Sequence, residues 1–192
     1  MKNLKNYLTQ KAGLTEEEYA SLVELLPVKT LLKGELVLSP GEVCKYAFFV
    51  ESGLVRSYTL DEIGKEHIIQ LAPETWIVSD RSGTYFNEPA EFFVQAIEDS
   101  VVVFMDVDFL SKASELSISF RKFNDRALHA HIRQLQKRVN SLLSATAEKR
   151  YLDFIQTYPD INQRVPQWMI ASYLGITPES LSRVRKELVK KK

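Results

Sequence analysis

The sequence predicts an α+β fold in three parts: an N-terminal antiparallel β-barrel or sandwich, a long amphipathic helix and a C-terminal helix-turn-helix. Three observations predict it. Between Val28 and Val107, short runs rich in Val, Ile, Phe and Tyr alternate with Gly-containing turns. Leu128, Ile132, Leu135, Val139 and Leu142 then follow spacings of 4, 3, 4 and 3, a heptad stripe. Near the C-terminus, Gly175 separates two short amphipathic helical patterns. The expected boundaries are 1–115, 116–145 and 146–192.

The first segment, Leu4 to Leu26, reads as helix. Thr15 before Glu16, Glu17 and Glu18 supplies an N-cap and an acidic first turn. Leu22, Leu25 and Leu26 continue the apolar stripe, and Pro27 ends it. The strand-like runs that follow include Leu36–Leu38, Ala47–Val50, Leu54–Leu60, Ile68–Leu71 and Val101–Met105. Gly41, Gly53 and Gly64 occupy the turns between them, where a left-handed backbone is expected. The aromatic residues Trp76, Tyr85, Phe86, Phe92 and Phe93 fit either barrel core or an apolar effector pocket.

From Asp108 to about Tyr158 the pattern is helical. Arg133, Gln134, Lys137 and Arg138 lie between the heptad positions and are solvent-facing types. The stripe itself predicts a two-chain seam. Thr146 and Glu148 start a further helix, Ala147 to Tyr158, closed by Pro159, with Asn162 and Gln163 in the connecting loop.

In the last segment, Pro166 suits a first helical turn, and Met169, Ile170, Ala171 and Leu174 form an inward face. Gly175 suits the C′ position, and Ile176 plugs inward. Thr177 is an N-cap, Pro178 sits at N1, and Leu181, Val184 and Leu188 repeat an inward stripe. A recognition helix needs small polar and basic residues near its start, because its first turns meet base edges in the major groove. Thr177, Glu179, Ser180, Ser182, Arg183 and Lys186 are the candidates for contact with double-stranded DNA. Arg183 can chelate guanine O6/N7 and Glu179 can accept from cytosine N4. Arg185, Lys186 and the terminal lysines suit phosphates.

The chain has 192 residues and a formal net charge of zero. Residues 1–120 carry 10 Lys+Arg against 19 Asp+Glu, a balance of −9, and residues 121–192 carry 15 against 6, a balance of +9. The basic half is the one suited to a polyanion. No apolar run approaches the ~18 residues of a membrane span. Residues 1–10 carry lysines without an apolar h-region, so a cytoplasmic protein without membrane attachment is expected. The single cysteine, Cys44, excludes an internal disulfide and an all-cysteine iron–sulfur site, and reads as a small buried filler. His67 is the one histidine in the strand-rich region, too few for a metal set on a barrel, and no nucleophile elbow, P-loop or paired-cysteine motif occurs. No enzyme is expected.

The run Ile170-Ala171-Ser172-Tyr173-Leu174-Gly175-Ile176-Thr177-Pro178-Glu179-Ser180-Leu181-Ser182-Arg183-Val184 closely resembles the DNA-reading segment of Crp/Fnr regulators. Lys33-Gly34-Glu35, Pro40-Gly41-Glu42, Phe48 to Arg56 and Asp61 to Glu66 are similar to the first strands of that family's cyclic-nucleotide-binding-type jelly roll. The resemblance runs from about Leu14 to Leu188. It implies an N-terminal jelly-roll barrel as sensor, a dimerisation helix along the seam, and DNA reading by Glu179, Ser182 and Arg183. It also implies a homodimer and RNA polymerase as a further partner. Pro178 stands where some members have an arginine, so one base contact is missing from the pattern.

The sensor departs from the family. Cyclic-nucleotide-binding members carry Gly-Glu and, about ten residues on, Arg-Ser or Arg-Thr before Ala. Here Ser79-Asp80 falls on Gly-Glu, and Ala90-Glu91 on the Arg-Ser pair. A buried phosphate needs donors and positive charge, which Ala90 and Glu91 do not supply. The candidate effector pocket is Trp76, Ser79, Asp80, Arg81, Ala90 and Glu91, with Arg81 as the one cation that could substitute. No cofactor is expected, a cyclic nucleotide is not expected in the usual mode, and the effector is unassigned. The lone cysteine argues against the family's iron–sulfur mode. A heme would have to use His67, His129 or His131, of which the last two read as solvated. The competing expectation is a ligand-binding or interaction module with a non-functional helix-turn-helix.

Overall fold

The computed structural model describes residues 1–24 and 26–190. Leu25, Lys191 and Lys192 lie outside the described residues. The chain divides into two compact units: Met1–Thr59 with Ile69–His129, and Leu60–Ile68 with the chain from Ala130 onward.

In the first unit, α1 (Lys2–Asn6) runs into a π-helical turn (Tyr7–Lys11), and α2 follows at Glu16–Val23. The continuous helix expected over Leu4–Leu26 is therefore broken at 12–15, where Gly13 turns left-handed (φ 78°). Thr15 caps α2 through a capping box with Glu18, 2.8 and 3.1 Å. Glu51 accepts from the Asn3 and Leu4 N–H groups at 2.9 and 2.8 Å, so a strand carboxylate satisfies the open start of α1.

Eight strands follow among the described residues: β1 Val28–Leu31, β2 Leu36–Leu38, β3 Tyr46–Ser52, β4 Val55–Leu60, β5 Glu66–Ala72, β6 Ile77–Ser79, β7 Phe93–Ala96 and β8 Ser100–Asp106. They form two four-stranded sheets, ordered β1-β8-β3-β6 and β2-β7-β4-β5. The β1–β8, β3–β8, β3–β6, β2–β7 and β4–β7 pairs are antiparallel. Phe48, Val50, Val55, Val78, Val94, Ala96 and Val102 form one core cluster. The alternate residues Phe49, Val103 and Met105 join a second cluster with Leu4, Leu8, Leu14, Leu22, Phe109 and Phe120. Strands β3 and β8 are thus buried on both faces, which is why Ala47–Val50 and Val101–Met105 read as unbroken apolar runs. A short helix, α3 (Arg81–Phe86), lies between β6 and β7, and α4 (Val107–Leu116) follows β8, capped by Asp106 at 2.7 Å from the Phe109 N–H.

Gly41, Gly53 and Gly64 all have positive φ, as their turns require. Gly53 is the most constrained (φ 87°). A Cβ there would meet Ser100 Oγ, and would stand 2.6 Å from the Asp99 carbonyl oxygen. Gly53→Ala therefore combines backbone strain with a clash against main chain. It should cost roughly 2–4 kcal/mol, read as a lower urea midpoint at unchanged slope.

Helix α5 (Ile118–Ser144) is 27 residues long, about 40 Å by the α-helical rise. In the second unit, α6 (Ala147–Thr157) is capped by Thr146. The segment expected as a loop at Asn162 and Gln163 is a short helix, α7 (Ile161–Arg164), seated by buried Ile161. Helices α8 (Gln167–Tyr173) and α9 (Pro178–Lys190) complete the chain. Pro166 occupies the N-cap of α8, one residue before the first turn.

Candidate nucleic-acid interface and sensor pocket

The α8–α9 pair is fixed by its turn. The Gly175 N–H donates to the Ser172 carbonyl and the Ile176 N–H to the Ala171 carbonyl, both at 3.0 Å. These are the two bonds of a Schellman motif, and they require the left-handed backbone that Gly175 adopts (φ 65°). Thr177 then accepts from the Ser180 N–H at 3.2 Å and starts α9. Met169, Ile170, Ala171 and Leu174 of α8 are buried, as are Leu181 and Val184 of α9, while Ile176 and Leu188 are half-buried.

With that face turned inward, Glu179, Ser182, Arg183 and Lys186 fall on the opposite, exposed face of α9, together with Pro178, Glu187 and Lys190. Their spacing of three and four residues stacks them along one side of the helix. Thr177 and Ser180 are not on that face. Both serve the cap, their hydroxyls 3.2 Å apart. The Glu179 carboxyl is held below the ordinary carboxylate range by its own backbone N–H and by the Thr177 hydroxyl, so it stays ionised at neutral pH. Arg185 donates through one guanidinium nitrogen to Gln167 Oε1, which ties α9 to α8. The terminal lysines Lys191 and Lys192 are outside the described residues.

Along α5, Leu128, Ile132, Leu135, Val139 and Leu142 are 37, 44, 48, 54 and 40% exposed. Five large apolar side chains at heptad spacing on a solvent-facing stripe form the kind of surface that marks an interaction face. Arg138 departs from the solvent-facing expectation. Its guanidinium lies 4.1 Å over the Tyr173 ring and donates to the carbonyls of Ile68 (3.1 Å) and Tyr173 (3.4 Å). Ser172 adds to this junction, accepting from the Ile68 N–H at 2.9 Å and donating to the Glu66 carbonyl at 3.2 Å. Sequence reading missed both roles, because a serine in the last turn of a helix and an arginine among other basic residues carry no distinguishing signal.

The candidate sensor residues are scattered in role. Asp80 is buried, but its carboxylate caps α3, accepting from the Ser82 and Gly83 N–H groups at 3.2 Å each. Ser79 pairs with Ala47 across the β3–β6 ladder. Ala90 is buried and pinned between Gly41 and Glu42 by two backbone bonds of 2.9 Å. Glu91 is exposed, and Arg81 is exposed with its guanidinium 4.7 Å over Tyr85. Trp76 and Phe92 pack half-buried against the core between the sheets, and Phe93 stacks on Tyr58. Tyr85 and Phe86 are 50 and 73% exposed, so neither the core nor the pocket reading holds for these two, which sit on the surface of α3. A residue that the sequence reading did not single out is Arg56 on β4. It is buried, bonded to Gln95 Oε1 at 3.0 and 2.6 Å, and stacked 4.1 Å over Tyr58. An arginine inside the strand-like run Leu54–Leu60 was the available signal.

Cys44 is buried, with its thiol donating to the Tyr46 carbonyl at 3.3 Å. Burial pushes the thiol above its ordinary range. Folded protein should therefore resist alkylation by iodoacetamide at neutral pH and react fully once unfolded, which mass spectrometry reads directly. Among the described residues, no group of three or more His, Cys, Asp or Glu converges as a metal site, and no helix is long and apolar enough to cross a membrane.

The profile of the cyclic nucleotide-binding domain matches residues 28–115, the span from β1 to α4. The anaerobic regulatory protein of Haemophilus influenzae is 24% identical over 183 residues, covering 89% of this chain and 70% of that protein. The fumarate and nitrate reduction regulatory protein of Yersinia pestis is 26% identical, covering 89% and 72%. Among solved structures, FixK2 from Bradyrhizobium japonicum superposes with a TM-score of 0.70 at 22% identity, covering 86% of this chain and 85% of that one, a likeness of fold. A matched cyclic nucleotide-binding domain and named regulators similar along most of both chains lead to one conclusion: the chain is similar to regulators of the Crp/Fnr type.

Proposed function

We propose that the chain is a dimeric, DNA-binding transcription regulator whose sensor barrel lacks the usual cyclic-nucleotide phosphate clamp. The observation that carries the reading is the exposed face of α9, where Glu179, Ser182, Arg183 and Lys186 stand together on a helix fixed from behind by Leu181 and Val184. Arg183 and Glu179 read base edges, Ser182 supports them, and Lys186 holds a phosphate. Thr177 and Ser180 contribute by fixing the helix start. Two chains pair along Leu128, Ile132, Leu135, Val139 and Leu142, and their α9 helices read half-sites about one DNA turn (~34 Å) apart. On this reading residues 1–115 are the sensor, 116–145 the dimerisation helix and 146–192 the DNA-binding part. RNA polymerase is the partner through which it acts.

The missing clamp is argued from Ala90 and Glu91. Ala90 is buried without a side-chain donor, and Glu91 adds negative charge at the surface. Asp80, in the place of the ribose-binding glutamate, spends its carboxylate on capping α3. A ligand elsewhere in the barrel acts only through a difference in affinity between two arrangements of the dimer.

The experiment is selection from random-sequence duplex DNA at two salt concentrations, with and without cyclic AMP. The expected result is a two-fold symmetric site recovered equally in both arms. A site recovered only with cyclic AMP overturns the clamp argument, and salt-sensitive bulk binding with no site favours the interaction module.

A further inference from the structure

Between the C-terminal part of α5, α6 and α8 lies a cavity of about 420 Å³, lined by residues of the second unit and with a volume in the range of small-molecule sites. Its walls differ from those of the α9 face. Phe154, Tyr158 and Tyr173 form a cluster of mutually tilted rings with centroids 5.2–5.9 Å apart and interplanar angles of 43–88°, an aromatic wall in which Phe154 and Tyr158 are buried and Tyr173 is half-buried. Lys137, Arg138 and Arg150 supply three positive charges against one carboxylate, Asp153, whose oxygens both lie 3.2 Å from Lys149 Nζ. The Arg150 Nε is buried and has no hydrogen-bond partner. Buried donors in folded proteins are nearly always satisfied, so an unsatisfied guanidinium N–H on a cavity wall calls for an acceptor. The two tyrosine hydroxyls stand 3.2 Å apart, and burial with the neighbouring Tyr173 pushes the Tyr158 phenol upward, so it remains a protonated donor.

We propose that this cavity is a binding site for a small organic anion, with its apolar body against the aromatic wall at Tyr173 and its anionic oxygens on Arg150 and Lys137. The cationic rim selects the charge. The aromatic wall favours an apolar body, because it offers contact area with few polar groups. Arg138, stacked over Tyr173, holds that ring in place. The site is separate from the α9 face and does not depend on DNA reading.

The test uses the full chain and three probes of similar shape: benzoate, phenyl phosphate and neutral benzamide. Calorimetry should detect binding of at least one anion, with benzamide about tenfold or more weaker. The preferred anion identifies carboxylate or phosphate as the group recognised. Arg150→Gln should weaken binding by about tenfold to a hundredfold, the scale of a lost charged hydrogen bond. Arg183→Ala should leave it unchanged. In the unsubstituted protein, anion titration should shift the amide resonances of Phe154 and Tyr173. Lys137 is exposed, so Lys137→Gln keeps the test open even if Arg150→Gln does not fold. The proposal is overturned if neither anion binds at millimolar concentration, if benzamide binds equally well, or if binding survives in folded Arg150→Gln. It also fails if Arg183→Ala abolishes binding, which would place the anion on the recognition helix.

Discussion

Arg183→Ala should lower affinity for the selected DNA site by about 1–3 kcal/mol per half-site, a factor of five to more than a hundred, and should relax base choice at one position in each half. The reasoning begins with placement. Arg183 is exposed on α9, one residue before buried Val184, so truncation removes little packing. A bidentate contact to guanine O6/N7 is lost, and the stability of the protein should stay within about 0.5 kcal/mol. Lys186→Ala sits one turn away on the same face and tests the complementary role, with its effect counted per half-site. It should weaken specific and random duplex alike and reduce the magnitude of the salt slope by about one. The pair separates reading from gripping. If Arg183→Ala instead produced only a uniform loss, Arg183 would be a phosphate contact and base choice would rest elsewhere on α9.

The parts of the fold legible in the sequence were those with strong local chemistry. Thr15 with Glu18, Thr146, and the Gly175-Ile176-Thr177 turn each combine a residue with a backbone group three to five positions away, so the motif is complete within a short window. The inward face of α8 and α9 was legible for the same reason. What escaped was set by distance along the chain. The start of α1 is satisfied by Glu51 on β3, and no local pattern announces a cap from 47 or 48 residues away. Ser172 and Arg138 acquire roles only because Glu66 and Ile68 lie beside them, 106 and 70 residues distant in sequence. Asp80 was read as a polar residue of the cassette, and its capping of α3 depended on a helix that Arg81–Phe86, with Gly83 inside it, did not advertise. Periodicity also failed to separate Tyr85 and Phe86 from Trp76 and Phe92. Aromatic content indicates buried area on average, and only the path of the backbone decides which rings receive it.

Leu135→Asp should abolish dimerisation and with it high-affinity binding to the two-fold symmetric site. Leu135 is the middle residue of the five-residue stripe and is 48% exposed in the single chain, so the substitution asks little of the isolated fold. In a two-chain seam the same position packs as a d-type knob against the partner, and symmetry places two carboxylates in one apolar layer. Burying either without a counter-charge is strongly unfavourable, and the lost leucine contacts are counted twice. A penalty of several kcal/mol shifts the dissociation constant by three orders of magnitude or more. Sedimentation equilibrium should find monomer for Leu135→Asp and dimer for the unsubstituted chain. Ala130→Asp places the same charge about 140° around the helix from Leu135, on the side away from the stripe, and should leave the dimer intact. A monomeric Leu135→Asp protein that keeps its helical signal but loses the symmetric site would show that two weak α9 contacts act together through α5. A dimer that persists in Leu135→Asp would move the interface off this stripe and remove the geometric basis for half-sites one DNA turn apart.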